Sequence, residues 1–318
     1  MALPTNTATT YANVGIREDL SDTIYRVAPE ETPFTNNIGT AKATNTYHEW
    51  QTESLASAVD TNANLEGDDA NLDAANVPSR VGNRTQIADK TAVVSGTNDA
   101  VNKAGRATEM ARQIMLKGME LARDIEKQML SNKASNAGAA GTARVSAGME
   151  SWIVTNASRG AGGSAGGFSG GTVAAPTDGT ARAFTETILK AAQLSAFNAG
   201  GKPTQLYMGG NQKQVFSGFA GVATKYIDSQ QNAQATIIGG SDVYVGDFGR
   251  LTAIAHPYGM RSATVLGIDP RRVRKALLRP MRNWELSKTG DTEKRQLLEE
   301  YCLQVDNEAA HFVCADLS

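Results

Sequence analysis

Residues 97–133 read TNDAVNKAGRATEMARQIMLKGMELARDIEKQMLSNK, and this stretch decides the fold. Thr97 and Asn98 are N-cap residue types, and Asp99 puts an acid in the first turn, where the helix dipole favours it. Ala107, Ile114, Gly118, Leu121, Ile125 and Met129 fall three, four or seven apart, on one face. Arg112, Lys117, Glu120, Arg123, Asp124 and Lys127 take the other face, several at spacings that pair across a turn. The pattern predicts one helix, a rod of about 54 Å, far longer than the usual three turns. Its apolar stripe is narrow and made of small or flexible residues. Such a rod lies across a thin, sheet-containing body better than through a thick core.

Composition bounds the rest. The chain has 318 residues, enough for one large domain or two ordinary ones, and 41% of them are hydrophobic, enough for a core. A net charge of −2 supplies no overall basic field for nucleic acid. Two cysteines, Cys302 and Cys314, make no disulfide framework and read as buried thiols. The opening MALPTNTATT lacks the basic and apolar regions of a signal peptide. No apolar run approaches the length of a membrane span.

Towards the N-terminus, residues 1–16 are polar and rich in Thr and Asn and read as an extended arm. A short amphipathic helix is expected from Arg17 to Ala28, with Leu20, Ile24 and Val27 on one face and Pro29 as its stop. Whether the arm packs on another body or on its own domain stays open. Residues 46–56 and 84–97 alternate and read as two strands. Between them, 57–83 carries Asp60, Glu66, Asp68, Asp69 and Asp73 and few bulky apolar side chains. Such an excursion cannot form its own core, and a loop this long is functional or disordered. It is either a loose surface insertion or an arm ordered on a neighbour.

Towards the C-terminus, 159–180 (RGAGGSAGGFSGGTVAAPTDGT) reads as a flexible loop. A helix is expected from Thr185 to Asn198, ended by Gly200 and Pro203, and Asn211 is expected to cap a third helix. Strands follow at 205–208, 243–245, 251–255 and 263–268, then 273–278, 284–286 and 296–305, with a closing segment at 310–317. The last group is expected to return beside the long helix.

No constellation for chemistry emerges. His48, His256 and His311 have no second ligand at metal spacing. Gly200-Gly201-Lys202 lacks the upstream glycine of a phosphate loop, and GAGGSAGG lacks the flanking strand and helix of a dinucleotide fingerprint. Asp247-Phe248-Gly249 fits a hairpin turn, since no H-R-D segment precedes it. No catalytic residue, cofactor or metal is therefore assigned. One charge cluster stands out: Arg271, Arg272, Arg274, Lys275, Arg279 and Arg282. It reads as a solvated strand face, as a nucleic-acid patch without interleaved aromatics apart from Trp284, or as the counterpart of the acids at 60–73 across a subunit boundary.

Three stretches carry a resemblance: EDLSDTIYRVAPEETPF (18–34), the run from VSGT to ELARDIEKQMLSN (94–132) with SWIVTN (151–156), and ALLRPMRNWELSKTGDTEKRQLLEEYCLQVDNEAAH (276–311). In these motifs and in element order the chain resembles the tailed-phage major capsid (major head) proteins of the Hong Kong 97 fold. The resemblance implies an α+β fold with an N-terminal arm at 1–45 and an extended β-hairpin loop at 46–96. A peripheral domain at 97–189 would hold the spine helix 97–133 and the Gly-rich loop 159–180. An axial domain would follow at 190–265, and return strands of the peripheral domain at 266–318.

The implied function is structural. The chain would be a shell subunit that self-assembles as hexamers and pentamers into an icosahedral head around double-stranded DNA, without sequence-specific binding. A portal is an implied partner, as are separate cement proteins; about 45 residues before the loop are too few for a scaffolding domain, so scaffolding, where needed, would be a separate chain. The resemblance places the protein in the virion, assembled in the host bacterial cytoplasm. Some members crosslink through a loop lysine; the tip at 57–79 has none, so no covalent crosslink is expected. The rival readings are a bacterial nanocompartment (encapsulin-like) shell of the same fold and a soluble enzyme or ligand binder with a long surface loop.

Overall fold

The computed structural model describes residues 28, 31–67, 69, 73–102, 108–219 and 242–318. Its helices are α1 (Pro33–Asn37), α2 (Gly96–Ala100), α3 (Glu109–Met129), α4 (Met149–Trp152), α5 (Glu186–Asn198) and α6 (Gly210–Ser217). The strands are β1 (Gly39–Lys42), β2 (Tyr47–Thr52), β3 (Ser79–Arg84), β4 (Gln86–Ser95), β5 (Ala157–Ser158), β6 (Gly167–Ser169) and β7 (Thr172–Ala174). They continue as β8 (Gln205–Met208), β9 (Val243–Gly246), β10 (Gly249–Ala255), β11 (Val265–Ile268), β12 (Val273–Glu285), β13 (Thr292–Val305) and β14 (Phe312–Cys314). A four-stranded sheet runs in the order β1-β12-β13-β4 and a six-stranded sheet in the order β5-β14-β11-β8-β10-β9. The expected arm and its helix at 17–28 fall almost wholly outside the described residues, as does Asp68.

The long rod is two helices. Ser95 caps α2 by accepting the Asn98 N–H, and Val101 leaves it in extended conformation. Thr108 is extended again before α3. Asp99, expected to sit in the first turn of one continuous helix, turns its carboxylate on the second: Glu109 N donates to Asp99 Oδ1 at 2.9 Å. The dipole logic holds, but for the next N-terminus. The far end stops at Met129, not Lys133, because Ser131 closes the last turn through its N–H and hydroxyl on Gln128 O. Leu121, Ile125 and Met129 are buried as the stripe predicts, against Leu297, Tyr301 and Leu303 of β13. Gly118 is not part of that contact, since a Cβ there would meet nothing within 4 Å.

Pairing departs from expectation in three further places, and one helix cap does as well. Strand β2 pairs with β3, Trp50 opposite Val81, whereas β4 leaves the hairpin and pairs along its length with β13. Thr85 separates the two roles: its hydroxyl is drawn to Glu300 Oε1 and its N–H donates to Thr46 O. The Gly-rich stretch is an ordered hairpin, β6 on β7. Glycine is required there: Gly170 and Gly171 form the turn at φ 58° and 82°, and a Cβ on Gly166 would stand 2.1 Å from Ala174 O. Strand β12 is one strand through Pro280, with register shifts between Leu277, Arg279 and Arg282 absorbing the proline. Helix α6 is preceded by Gly209, so Asn211 lies inside it and does not cap it.

The last strands divide between the two sheets. Strands β12 and β13 return beside α3, while β11 and β14 enter the six-stranded sheet, β11 lying between β8 and β14. The expected boundary at 265/266 therefore cuts one strand. A single core joins the sheets: Leu121 and Ile125 belong to the same cluster as Tyr207, Leu266 and Val313. A second cluster, with Leu189, Phe216, Leu251 and Phe312, lies between α5, α6 and the six-stranded sheet.

Gly118→Ala is expected to stabilise the chain by about 1 kcal/mol, because alanine gains helix propensity and meets no obstacle. Thermal unfolding followed by circular dichroism measures it; a lower melting temperature contradicts the open space beside the helix.

Candidate assembly surfaces

Two elements are rooted on the body, α1 and the loop between β2 and β3, and each is held there by side chains far apart in sequence. At the first root, Phe34 N and Thr35 N donate to Glu126 Oε1 and Oε2 at 2.7 and 2.8 Å, and the Thr35 hydroxyl donates to Oε2 as well. Glu126, on α3, thus caps α1 from outside, a charge at a helix N-terminus. His256 completes the site. Gly259 N donates to its Nδ1 at 2.8 Å, so its Nε2 carries the proton and donates to Glu126 Oε1 at 3.0 Å. Both side chains are fully buried. Tyr258 Oη donates to Glu31 O, and the Arg123 guanidinium lies 4.8 Å over the Tyr258 ring.

At the second root an aromatic ladder ties the loop stem to the body. His48 and Trp50 of β2 stand 5.8 Å apart, Trp50 lies 5.4 Å from Trp152 of α4, and Trp152 stacks on Phe168 of β6 at 6.0 Å. Trp50 Nε1 also donates to Val305 O at 2.9 Å. Beyond the stem, residues 53–78 form no strand or helix among the described residues, and Asp60, Glu66, Asp69 and Asp73 lie exposed there.

The basic stretch is less free than its sequence suggests. Arg271 pairs with Asp269, Arg274 with Asp306, Lys275 with Glu299 and Arg279 with Glu300. Asp269 is a near neighbour of Arg271 in sequence, whereas Glu299 and Glu300 lie on β13 and Asp306 just past its end, where sequence spacing does not display them. Among the described residues, Arg272 and Arg282 make no ion pair. Burial pushes the Glu300 carboxyl up, but the Thr85 hydroxyl, Arg279 and Arg144 outweigh it and hold it below the usual range. Burial likewise opposes Arg271 at Asp269, and the arginine prevails there too.

Other titratable groups are structural. Burial pushes the Cys302 and Cys314 thiols up to about 12, and both are unpaired, as expected. Asp269 N donates to His311 Nδ1 at 3.1 Å. Burial lowers the His311 pKa to about 4, with Asp269 opposing and Arg272 assisting.

Glu126→Ala strands two backbone N–H groups and the His256 N–H, and is expected to cost about 3 kcal/mol or more. Hydrogen exchange should quicken at Phe34 and Thr35; unchanged protection there would refute the clasp. For His311 the unfolded chain takes up a proton near pH 6.5 and the folded chain only near 4. Stability is therefore full above about pH 6.5 and falls by about 3 kcal/mol as pH drops to about 4. Denaturant unfolding across that window should show the slope in the native chain and lose it in His311→Gln.

A family model described as SU10 major capsid protein matches residues 3–318. The major capsid protein of Escherichia phage Phieco32 is 34% identical over 127 residues, 39% of this chain and 35% of that protein. The match thus spans about a third of the length of that curated relative. Among solved structures, the Cyanophage A-1(L) capsid asymmetric unit superposes with a TM-score of 0.64 at 12% identity, covering 97% of this chain and 98% of that one. A chain from Microbacterium phage Oxtober96 gives 0.60 at 11% identity, with 95% and 96% covered. One from Mycobacterium phage Adephagia gives 0.59 at 10%, with 95% of each covered.

Proposed function

The chain belongs to the SU10 major capsid protein family and has the Hong Kong 97-type fold, and from that premise we propose that it is the major capsid subunit of a tailed, double-stranded DNA bacteriophage. The observation that carries the proposal is the family match across residues 3–318. Copies assemble as hexamers and pentamers into an icosahedral shell, with a portal at one vertex and separate scaffolding or cement proteins where the shell needs them. The division into arm, extended loop, peripheral domain and axial domain is part of the same reading. The protein acts in the virion, after assembly in the cytoplasm of the host bacterium.

Its role is mechanical and not enzymatic. The net charge of −2 suits a wall that encloses DNA without gripping it. Strong phosphate binding would tie packing and release to salt. The acids at 60–73 meet basic residues of a neighbouring copy, where opposite charge sets register and partner choice more than raw affinity. The local ion pairs of Arg271, Arg274, Lys275 and Arg279 narrow the candidate acceptors to Arg272 and Arg282.

Expression of the chain should give closed particles in electron micrographs, and particles from infected cells should protect DNA from nuclease. A compact monomer across concentration and salt, with no particles in micrographs, would overturn the proposal. Particles filled with an enzyme in place of DNA would point to a nanocompartment shell.

A further inference from the structure

One flank of α3 is left over from the packing of the core. Ala122, Met119, Leu116 and Met115 follow one another along it, on the same side as Glu126 and Arg123 and roughly a third of a turn from the stripe that faces β13. Met115 is 53% exposed. Leu116 and Ala122 are half-buried, yet neither belongs to a hydrophobic cluster among the described residues, whereas Ile114 of the same helix packs against two.

The chain is held at one end of this flank. Glu126 binds the N–H groups of Phe34 and Thr35, and Glu31 O accepts the Tyr258 hydroxyl. The Arg123 guanidinium covers the Tyr258 ring at 4.8 Å. Arg123 makes no ion pair among the described residues, and its buried Nε has no hydrogen-bond partner there. Towards its C-terminus α3 ends at Met129, less than a turn beyond Glu126. Towards its N-terminus the flank runs on from Arg123 for about 16 Å to Arg112.

The residues that precede this anchor match the flank in pattern and length. From Arg17 to Val27, outside the described residues, the sequence reads REDLSDTIYRV. Spacings of three and four put Leu20, Ile24 and Val27 on one helical face. A helix over that stretch spans about 16 Å, the length of the flank. Only Ala28, Pro29 and Glu30 separate it from Glu31. So short a tether gives the segment an effective concentration of about millimolar order beside its own α3.

We infer that residues 17–27 lie as an amphipathic helix along this flank of their own chain, with Leu20, Ile24 and Val27 against Leu116, Met119 and Ala122. Glu18, Asp19 and Asp22 then stand at the end of the flank that carries Arg112. The segment is amphipathic because one of its faces has a fixed place on the subunit that bears it. The contact lies within one chain and does not require the shell reading.

Thiol chemistry on the full-length chain tests it. Cys302 and Cys314 are fully buried and stay silent. Maleimide should label Leu116→Cys several-fold more slowly in the otherwise unchanged chain than in one that also carries Leu20→Asp, Ile24→Asp and Val27→Asp. Equal rates, with both chains folded by circular dichroism, would overturn the seat. An Ile24→Cys, Leu116→Cys variant oxidised at low concentration should close a disulfide within one chain, and an Ile24→Cys, Ala191→Cys variant, with its second thiol on α5, should not. If the Asp variant does not fold, this pair decides: closure no greater than in the Ala191 control refutes the contact. Linkage between chains in place of closure would also overturn it, assigning the flank to another copy's segment. Neither readout needs particles, so a chain that forms none would sink the shell reading and leave this contact standing.

Discussion

A carboxylate without access to water organises this chain. The Glu126 carboxyl group is fully buried, and backbone N–H groups of α1, the Thr35 hydroxyl and the His256 N–H surround it in place of water. A buried charge is tolerable only when such donors surround it. Helix α1 and the turn after β10, which supply the donors, and α3, which supplies the carboxyl group, therefore stand or fall together. Gly259 belongs to this arrangement, because any side chain there would collide with the His256 ring. The N-terminus of α1 is thus fixed by the core.

The loop stem uses the opposite chemistry. Its anchor is a ladder of rings and one indole hydrogen bond, with the Gly-rich hairpin supplying the last rung through Phe168. Aromatic contacts of this type tolerate sliding better than a carboxylate set among aimed donors. The two anchors therefore differ in kind: one is pinned at a point, the other rests on a stack. The shared core of Leu121, Ile125, Tyr207, Leu266 and Val313 makes the two sheets one mechanical unit behind both roots.

Much of this was legible in the residues. The stripe Leu121, Ile125, Met129, the helix ending at Gly200, the β9–β10 turn at Asp247-Phe248 and the buried thiols follow from periodicity and turn chemistry alone. The resemblance in three motifs led to the same fold that the solved phage capsid chains share. What sequence did not display was long-range pairing. The strand partner of β2, the local partners of Arg274 and Arg279 and the donors to Glu126 are brought close only by the fold. Glu126 is one acid among several on a helix that reads as amphipathic, and nothing in its neighbours marks it as buried. The break between α2 and α3 was missed for a related reason: a capping acid is recognisable, but which of two N-termini it serves is not.

Strand β12 carries a consequence for contacts between sheet edges. Beyond Leu277 its outer edge has no strand partner among the described residues, β1 ending at Lys42. An open edge of that length is a template for indiscriminate pairing between chains. Pro280 removes a donor from that stretch, and the two register shifts twist it out of line. Both features disfavour pairing of that edge with another strand.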